Sequence, residues 1–261
     1  MSKISIGTPD KASPVAMPAG FAGTARTQAY FDQASDHLHL HQHDFAPGDT
    51  LRIGPHGTDC VAYVWKGEVR SGDKALRQGS SMVIEHGAQL DVAAGADGAT
   101  LLAFTANGAP QTRAGGHVHL LPDERVPRYA PEPGAGGAAG GLHADGECET
   151  CHVWLHENAL PGMDGEGLDE VAERGVHSHS EDEIIFITRG SMRLGHRLVG
   201  PGTALAISAD TMYSFTPGPV GLSFVNFRPG RPAAFRMKSG GTFDEAGYWR
   251  DRVKPPEYLA V

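Results

Sequence analysis

Apolar residues in this chain come in short runs, such as Met82-Val83-Ile84, Val153-Trp154-Leu155, Ile184 to Ile187 and Leu205-Ala206-Ile207, rather than in long helical patterns. Runs of that length predict short strands. Strict alternation occurs twice around histidine. His37, His39, His41 and His43 alternate with Leu38, Leu40 and Gln42, which predicts a strand carrying four imidazoles on one face. A flat row lacks the convergence that coordination requires, so the expectation is the polar outer face of an edge strand; a second metal site or a pocket extension is the competing reading. His177 and His179 alternate in the same way, and Glu183 follows at an even spacing, so the three can converge from one face. Helical spacing is confined to Leu168-Asp169-Glu170-Val171-Ala172-Glu173, inside the acidic segment Met163 to Arg174. That segment reads either as a short lid helix over a pocket mouth or as a solvated turn. The chain's 35 Gly and 18 Pro add tight turns to this picture.

The strand pattern repeats. Lys66-Gly67-Glu68-Val69-Arg70-Ser71-Gly72 aligns with Arg189-Gly190-Ser191-Met192-Arg193-Leu194-Gly195, and the register continues through Gly79 and Gly202 to Ile84 and Ile207. Pro47-Gly48 and Pro161-Gly162 mark matching turns upstream, and the Gly/Ala/Pro-rich run Pro131 to Gly141 reads as a flexible connector between the halves. In the second half, two imidazoles and a carboxylate on one face, with the remaining positions open, suit a divalent first-row metal, Fe(II) foremost.

These residues resemble the cupin superfamily, and the duplication resembles a bicupin. The family's first motif is matched by His177, His179, Glu183 and Gly190, with Val171 where the family has a glycine. The second motif begins at Gly202 and then departs, with Ser208, Asp210, Tyr213 and Pro217 in the later places. The resemblance implies an all-β fold of two tandem cupin (jelly-roll, double-stranded β-helix) barrels with few short helices. It divides the chain into residues 1–130 (N-terminal cupin with a degenerate metal site), 131–147 (linker), 148–236 (metal-binding C-terminal cupin) and 237–261 (tail). It implies a metal held by His177, His179 and Glu183, with Tyr213 in place of a third histidine. Tyr213 has several roles open to it: weak ligand, hydrogen-bond partner of a bound molecule, proton donor, or barrel filling. In the first half, Gly54, His56 and Cys60 stand at the ligand positions, leaving one histidine and a thiol. Loss of the metal there is expected, with a soft His/Cys site as the alternative.

Charge removes some functions. With 31 acidic against 22 basic residues, the chain has no electrostatic drive toward nucleic acid or anionic lipid. No segment approaches membrane-spanning length and no leader is evident, so a soluble, cytoplasmic protein is expected. Three cysteines, Cys60, Cys148 and Cys151, are too few for a disulfide framework. Cys148-Glu149-Thr150-Cys151-His152 matches a c-type haem attachment pattern, but such attachment needs export. Local strand packing is the expectation there, with zinc or a redox thiol pair as lesser options. His117-Val118-His119 reads as a β segment leaving the first barrel. Arg193, Asn226 and Arg228 could contact an anionic or carbonyl-bearing substrate, but their faces are undetermined; the tail from Lys238 to Val261, with Tyr248 and Trp249 as aromatic anchors, is expected to pack across a barrel or a subunit boundary and shows no recognisable chemistry.

The functional expectation is an Fe(II) oxygenase, with Glu183 and Tyr213 as catalytic groups, acting on a small metal-chelating metabolite. Mn, Ni or Zn in a non-redox isomerase, hydrolase or lyase is the alternative, and a binding protein without turnover is the third reading. A homodimer is plausible through strand-edge pairing.

Overall fold

The computed structural model describes residues 4–31, 36–132, 137–165, 167–232 and 234–261; part of the expected connector, 133–136, lies outside them. The fold is all-β, with two short α-helices among the described residues, Leu168–Arg174 and Glu245–Arg250. The chain divides into two units. The C-terminal unit comprises the chain up to Pro9, Pro127–Asp145 and Trp154–Pro255, and the N-terminal unit comprises Asp10–Val126, Gly146–Val153 and Pro256–Val261.

In the C-terminal unit one sheet runs in the order Ile4–Gly7, Ala204–Ile207, Glu183–Leu194, Thr216–Arg228, Trp154–Leu160, Ala139–Asp145, Arg128–Tyr129. A small second sheet joins His177–Ser178, Phe235–Met237 and Thr242–Phe243. In the N-terminal unit the central strands are Leu38–Phe45, Leu90–Ala106, Cys60–Ser71 and Ser81–Ile84. Both large sheets follow open strand orders that do not close on themselves.

Residues equated by the sequence repeat hold the same pairing positions. Cys60 lies opposite Ile84 as Glu183 lies opposite Ile207. Gly67 and Gly190 both have positive φ, and a Cβ at either would collide with a carbonyl oxygen of the facing strand, that of Gly98 or Gly221. The recurrent basic-Gly pair is therefore a bend at which the backbones close up. The first halves of the two long strands, Cys60 to Trp65 and Glu183 to Ile187, are buried on both faces, which explains runs that do not alternate.

Three expectations need correction. Residues 139–145 are a strand rather than linker, paired with Trp154–Leu160. Gly140 serves close packing there, since a Cβ on it would meet the Trp249 ring at 2.7 Å. The histidine row is not on an edge strand, because Leu38–Phe45 is hydrogen-bonded on both sides, to Arg26–Ala29 and to Leu90–Ala106. His41 and His43 are buried, with Phe21 packed 5.7 and 4.8 Å from their ring centres and 4.9 Å from that of His56. An aromatic ring thus fills the space the imidazoles face. Finally, the tail packs on the fold as its aromatic residues suggest, Trp249 joining Leu142 and Trp154 in a core cluster, but it is not without polar chemistry, because Glu245 accepts from Arg228. The helix Leu168–Arg174 forms but buries no residue. No helix among the described residues is long and apolar enough to cross a membrane.

Candidate functional site

The second unit's motif residues come together around a cavity of about 330 Å³. His177 lies directly opposite Tyr213, the two backbones exchanging hydrogen bonds of 3.0 Å, and their rings approach to 4.7 Å. Nδ1 of His177 donates to the Gly175 carbonyl at 2.7 Å, which leaves Nε2 as the lone-pair nitrogen when the ring is neutral. His179 follows on the same face, its ring centre 5.0 Å from that of His177. His177, His179 and Tyr213 line the cavity together with His156, Asn226, Arg228 and Glu245. Glu183 stands immediately behind, 1% exposed.

Arg228 organises this interior. It ends the strand Thr216–Arg228, is itself 1% exposed, and donates to Oε2 of Glu245 at 2.5 Å and to Oε2 of Glu183 at 3.4 Å. Its Nη2 also lies 3.4 Å from Nε2 of His179. Asn226, two residues earlier on the same face, donates to Oε2 of Glu183 at 2.7 Å. Two carboxylates thus share one guanidinium, and among the residues lining the cavity Arg228 is the sole Lys or Arg.

The electrostatics follow. Burial pushes the Glu183 carboxyl up, but Arg228, then His179, Tyr213 and Asn226, hold it below its ordinary value, so it stays ionised. Burial lowers His179 to about 4, with Arg228 adding to the effect and Glu183 opposing it, so the ring is neutral. Burial, then the Glu183 charge, raises Tyr213 well above an ordinary phenol; it keeps its proton and is a donor at neutral pH. His156, which accepts from the Trp154 indole at 2.7 Å, is likewise neutral, lowered by burial and then by Arg228.

Charge and unmet hydrogen-bonding capacity here favour a cation over an anion. One negative charge is left unbalanced by Arg228, and three buried atoms, Oε1 of Glu183, Nδ1 of His179 and Oδ1 of Asn226, lack a hydrogen bond of normal geometry. The triad's donors are nonetheless loosely spaced, with Nε2 of His179 3.8 Å from Oε1 of Glu183. Among the described residues, the group whose donor atoms all gather within 4.8 Å is another one, Glu85, His119, Cys148 and Cys151, in the N-terminal unit. At the first half's ligand positions, Cys60 is fully buried and its thiol is pushed up by burial, then by Asp59, so it is no thiolate. Phe21 packs against His56.

Sequence reasoning identified Asn226 and Arg228 without their face; the register Ile185↔Asn226 directs them inward. Arg193 lies elsewhere, lining a separate pocket with Gly195 and His196. Glu245 and His156 were missed. Nothing in a tail reached by an irregular loop signals Glu245, whereas His156 alternates with Trp154 and Asn158 on a strand and was open to discovery.

No protein-family model and no curated protein matches the sequence. Solved structures do match. Protein Ylba from E. coli superposes with a TM-score of 0.61 at 15% identity, covering 87% of this chain and 90% of that one. An oxalate decarboxylase from Lactobacillus farciminis, in complex with formate, gives 0.64 at 11% identity over 89% and 88%. A Nostoc punctiforme protein proposed to be a dioxygenase gives 0.58 at 12% over 86% and 82%. At such identities the likeness is one of fold, and that fold is cupin-type.

Proposed function

We propose that this chain is a metal-dependent enzyme built from two tandem cupin barrels, with one working site in the C-terminal unit that takes a small, oxygen-rich, metal-chelating metabolite. The observation carrying this reading is the buried, net-negative donor set behind the cavity: two carboxylates on one guanidinium, with Oε1 of Glu183 and Nδ1 of His179 left without a hydrogen bond. His177, His179 and Glu183 would hold one divalent ion, with Tyr213 beside them. Fe(II) is favoured because two imidazoles and a carboxylate leave positions for both a chelating substrate and dioxygen, whose activation is what the ion supplies. A fold neighbour that is an oxalate decarboxylase solved with formate supports a small carboxylate or similar oxygen-rich acid as the ligand class.

The chain's own residues divide the remaining work. The protonated Tyr213 hydroxyl can donate to an oxygen of the bound molecule or give it a proton. Asn226 and Arg228 fix the orientation of Glu183 through its Oε2, leaving Oε1 free. Phe235 and Phe243 stack at 4.7 Å, and Phe243, 36% exposed, stands at the cavity mouth, where the pair limits water.

A second reading, a non-redox isomerase, hydrolase or lyase using Mn, Ni or Zn, is favoured by the place of Tyr213 on the cavity wall beside His177, where its hydroxyl can hydrogen-bond a polarised carbonyl without oxygen. Elemental analysis of protein purified without chelator or affinity-tag metal, beside a His177→Ala variant, tests both. About one equivalent of iron, lost in the variant, together with oxygen uptake on small chelating acids, is expected. Turnover that persists under strict anaerobiosis would select the non-redox reading. Identical metal content in both proteins would overturn the site.

A further inference from the structure

We infer that Glu85, His119, Cys148 and Cys151 form a structural zinc site in the N-terminal unit, separate from the cavity and independent of what that cavity does. Glu85 directly follows the strand Ser81–Ile84, and His119 lies on the neighbouring strand Val118–Leu121, paired with Val83. Cys148 and Cys151 come from the segment Gly146–Val153, which belongs to this unit although it precedes a strand of the other. A sheet thus offers two donors, and a C-x-x-C turn brings two thiols to them.

The donor spacing is close to that of a closed four-coordinate site. Sγ of Cys148 is 3.9 Å from both Oε1 of Glu85 and Nε2 of His119, and all four donor atoms lie within 4.8 Å of one another. With Zn–S near 2.3 Å and Zn–N near 2.0 Å, donors around a tetrahedral zinc stand about 3.3–3.8 Å apart. Closing onto an ion therefore needs only small movements, chiefly a parting of His119 and Glu85, now 2.7 Å apart. Two thiolates and an imidazole select zinc over the hard, oxygen-seeking cations.

An outer layer orients the donors. Oε2 of Glu85 accepts from the backbone nitrogen of His117 at 3.0 Å, which turns Oε1 toward His119. Tyr258 packs on the His119 ring at 5.1 Å. Such supporting contacts are typical of ligands held ready for a metal. With four protein donors and no open position, the site's role is to fasten the otherwise irregular Gly146–Val153 segment to the sheet. Direct bonds already tie the segment to the sheet: Arg113 Nε donates to the Thr150 carbonyl at 2.9 Å, the His152 nitrogen to Asp59 at 3.4 Å, and the Thr150 hydroxyl to Oε1 of Glu85 at 2.5 Å, the oxygen that would turn to the ion.

The test uses the full chain, reduced and reconstituted with zinc or with cobalt as a spectroscopic probe. Relative to wild type, Cys148→Ser/Cys151→Ser should lose about one equivalent of zinc after desalting, and His177→Ala should keep that equivalent. The cobalt form should show near-ultraviolet thiolate-to-metal absorption in wild type and His177→Ala and none in the double variant. Should the double variant fail to fold, zinc should still shield Cys148 and Cys151 of wild type from alkylation, as read by peptide mass mapping. Unchanged alkylation with zinc, or a Cys148–Cys151 disulfide whose reduction yields no zinc binding, would overturn the assignment. Loss of a different metal in His177→Ala concerns only the cavity.

Discussion

Arg228 is the residue on which the interior of the C-terminal unit turns. A guanidinium this deeply buried is tolerable because Glu183 and Glu245 both accept from it, and removing it leaves two buried carboxylates without their shared cation. Arg228→Met should therefore cost about 3 kcal/mol or more, measured by denaturant unfolding. Glu245→Gln keeps an acceptor near the guanidinium, so its cost should be clearly smaller. Equal costs would mean that Arg228 acts through packing alone. The motif positions His177, His179 and Glu183 were legible because alternation and spacing are local properties. Arg228 was legible only as a candidate, since its partner Glu245 lies on a short helix that the sequence pattern did not announce.

The strand Leu38–Phe45 shows how far an element can be read and where reading stops. Alternation correctly places His39, His41 and His43 on one face, while His37 precedes the strand and is exposed; it says nothing about whether that face meets water or core, and here the core won through Phe21. Burial lowers His43 from 6.5 to about 3, with His41 adding to it, and lowers His41 to about 4, with His39 and His56 adding. The folded strand thus keeps neutral rings that the unfolded chain protonates below pH 6.5. Stability is intact above that pH and falls as pH drops toward 4 and 3, by at most about 1.4 kcal/mol per unit for each ring. Melting temperature followed from pH 8 to pH 4.5 should decline, and His41→Leu should flatten the decline; parallel curves for the two proteins would refute this. The same ambiguity of face hid the strand Ala139–Asp145, whose glycines look like a linker until Trp249 is seen against Gly140.

At the scale of the molecule, the two units do not coincide with the two halves of the chain. Ile4–Gly7 completes the C-terminal unit by pairing with Ala204–Ile207, and Leu259–Ala260 pairs with Val118–Leu121 in the N-terminal unit. Deleting the chain up to Pro9 should accelerate hydrogen exchange in Ala204–Ile207, although the deletion lies at the opposite end of the sequence. Protection unchanged there would show the pairing to be dispensable. The internal repeat was legible because equivalent glycines and strand runs recur, but which terminal strand joins which unit depends on long-range pairing that leaves no periodic trace.

That exchange of strands limits modularity. A gene fusion or a swap between homologues that cuts once at the connector would hand each recipient a unit missing a strand and carrying an orphan one. A transplantable module must be assembled from three separate stretches of chain, so any recombination that keeps both units whole has to preserve both ends together.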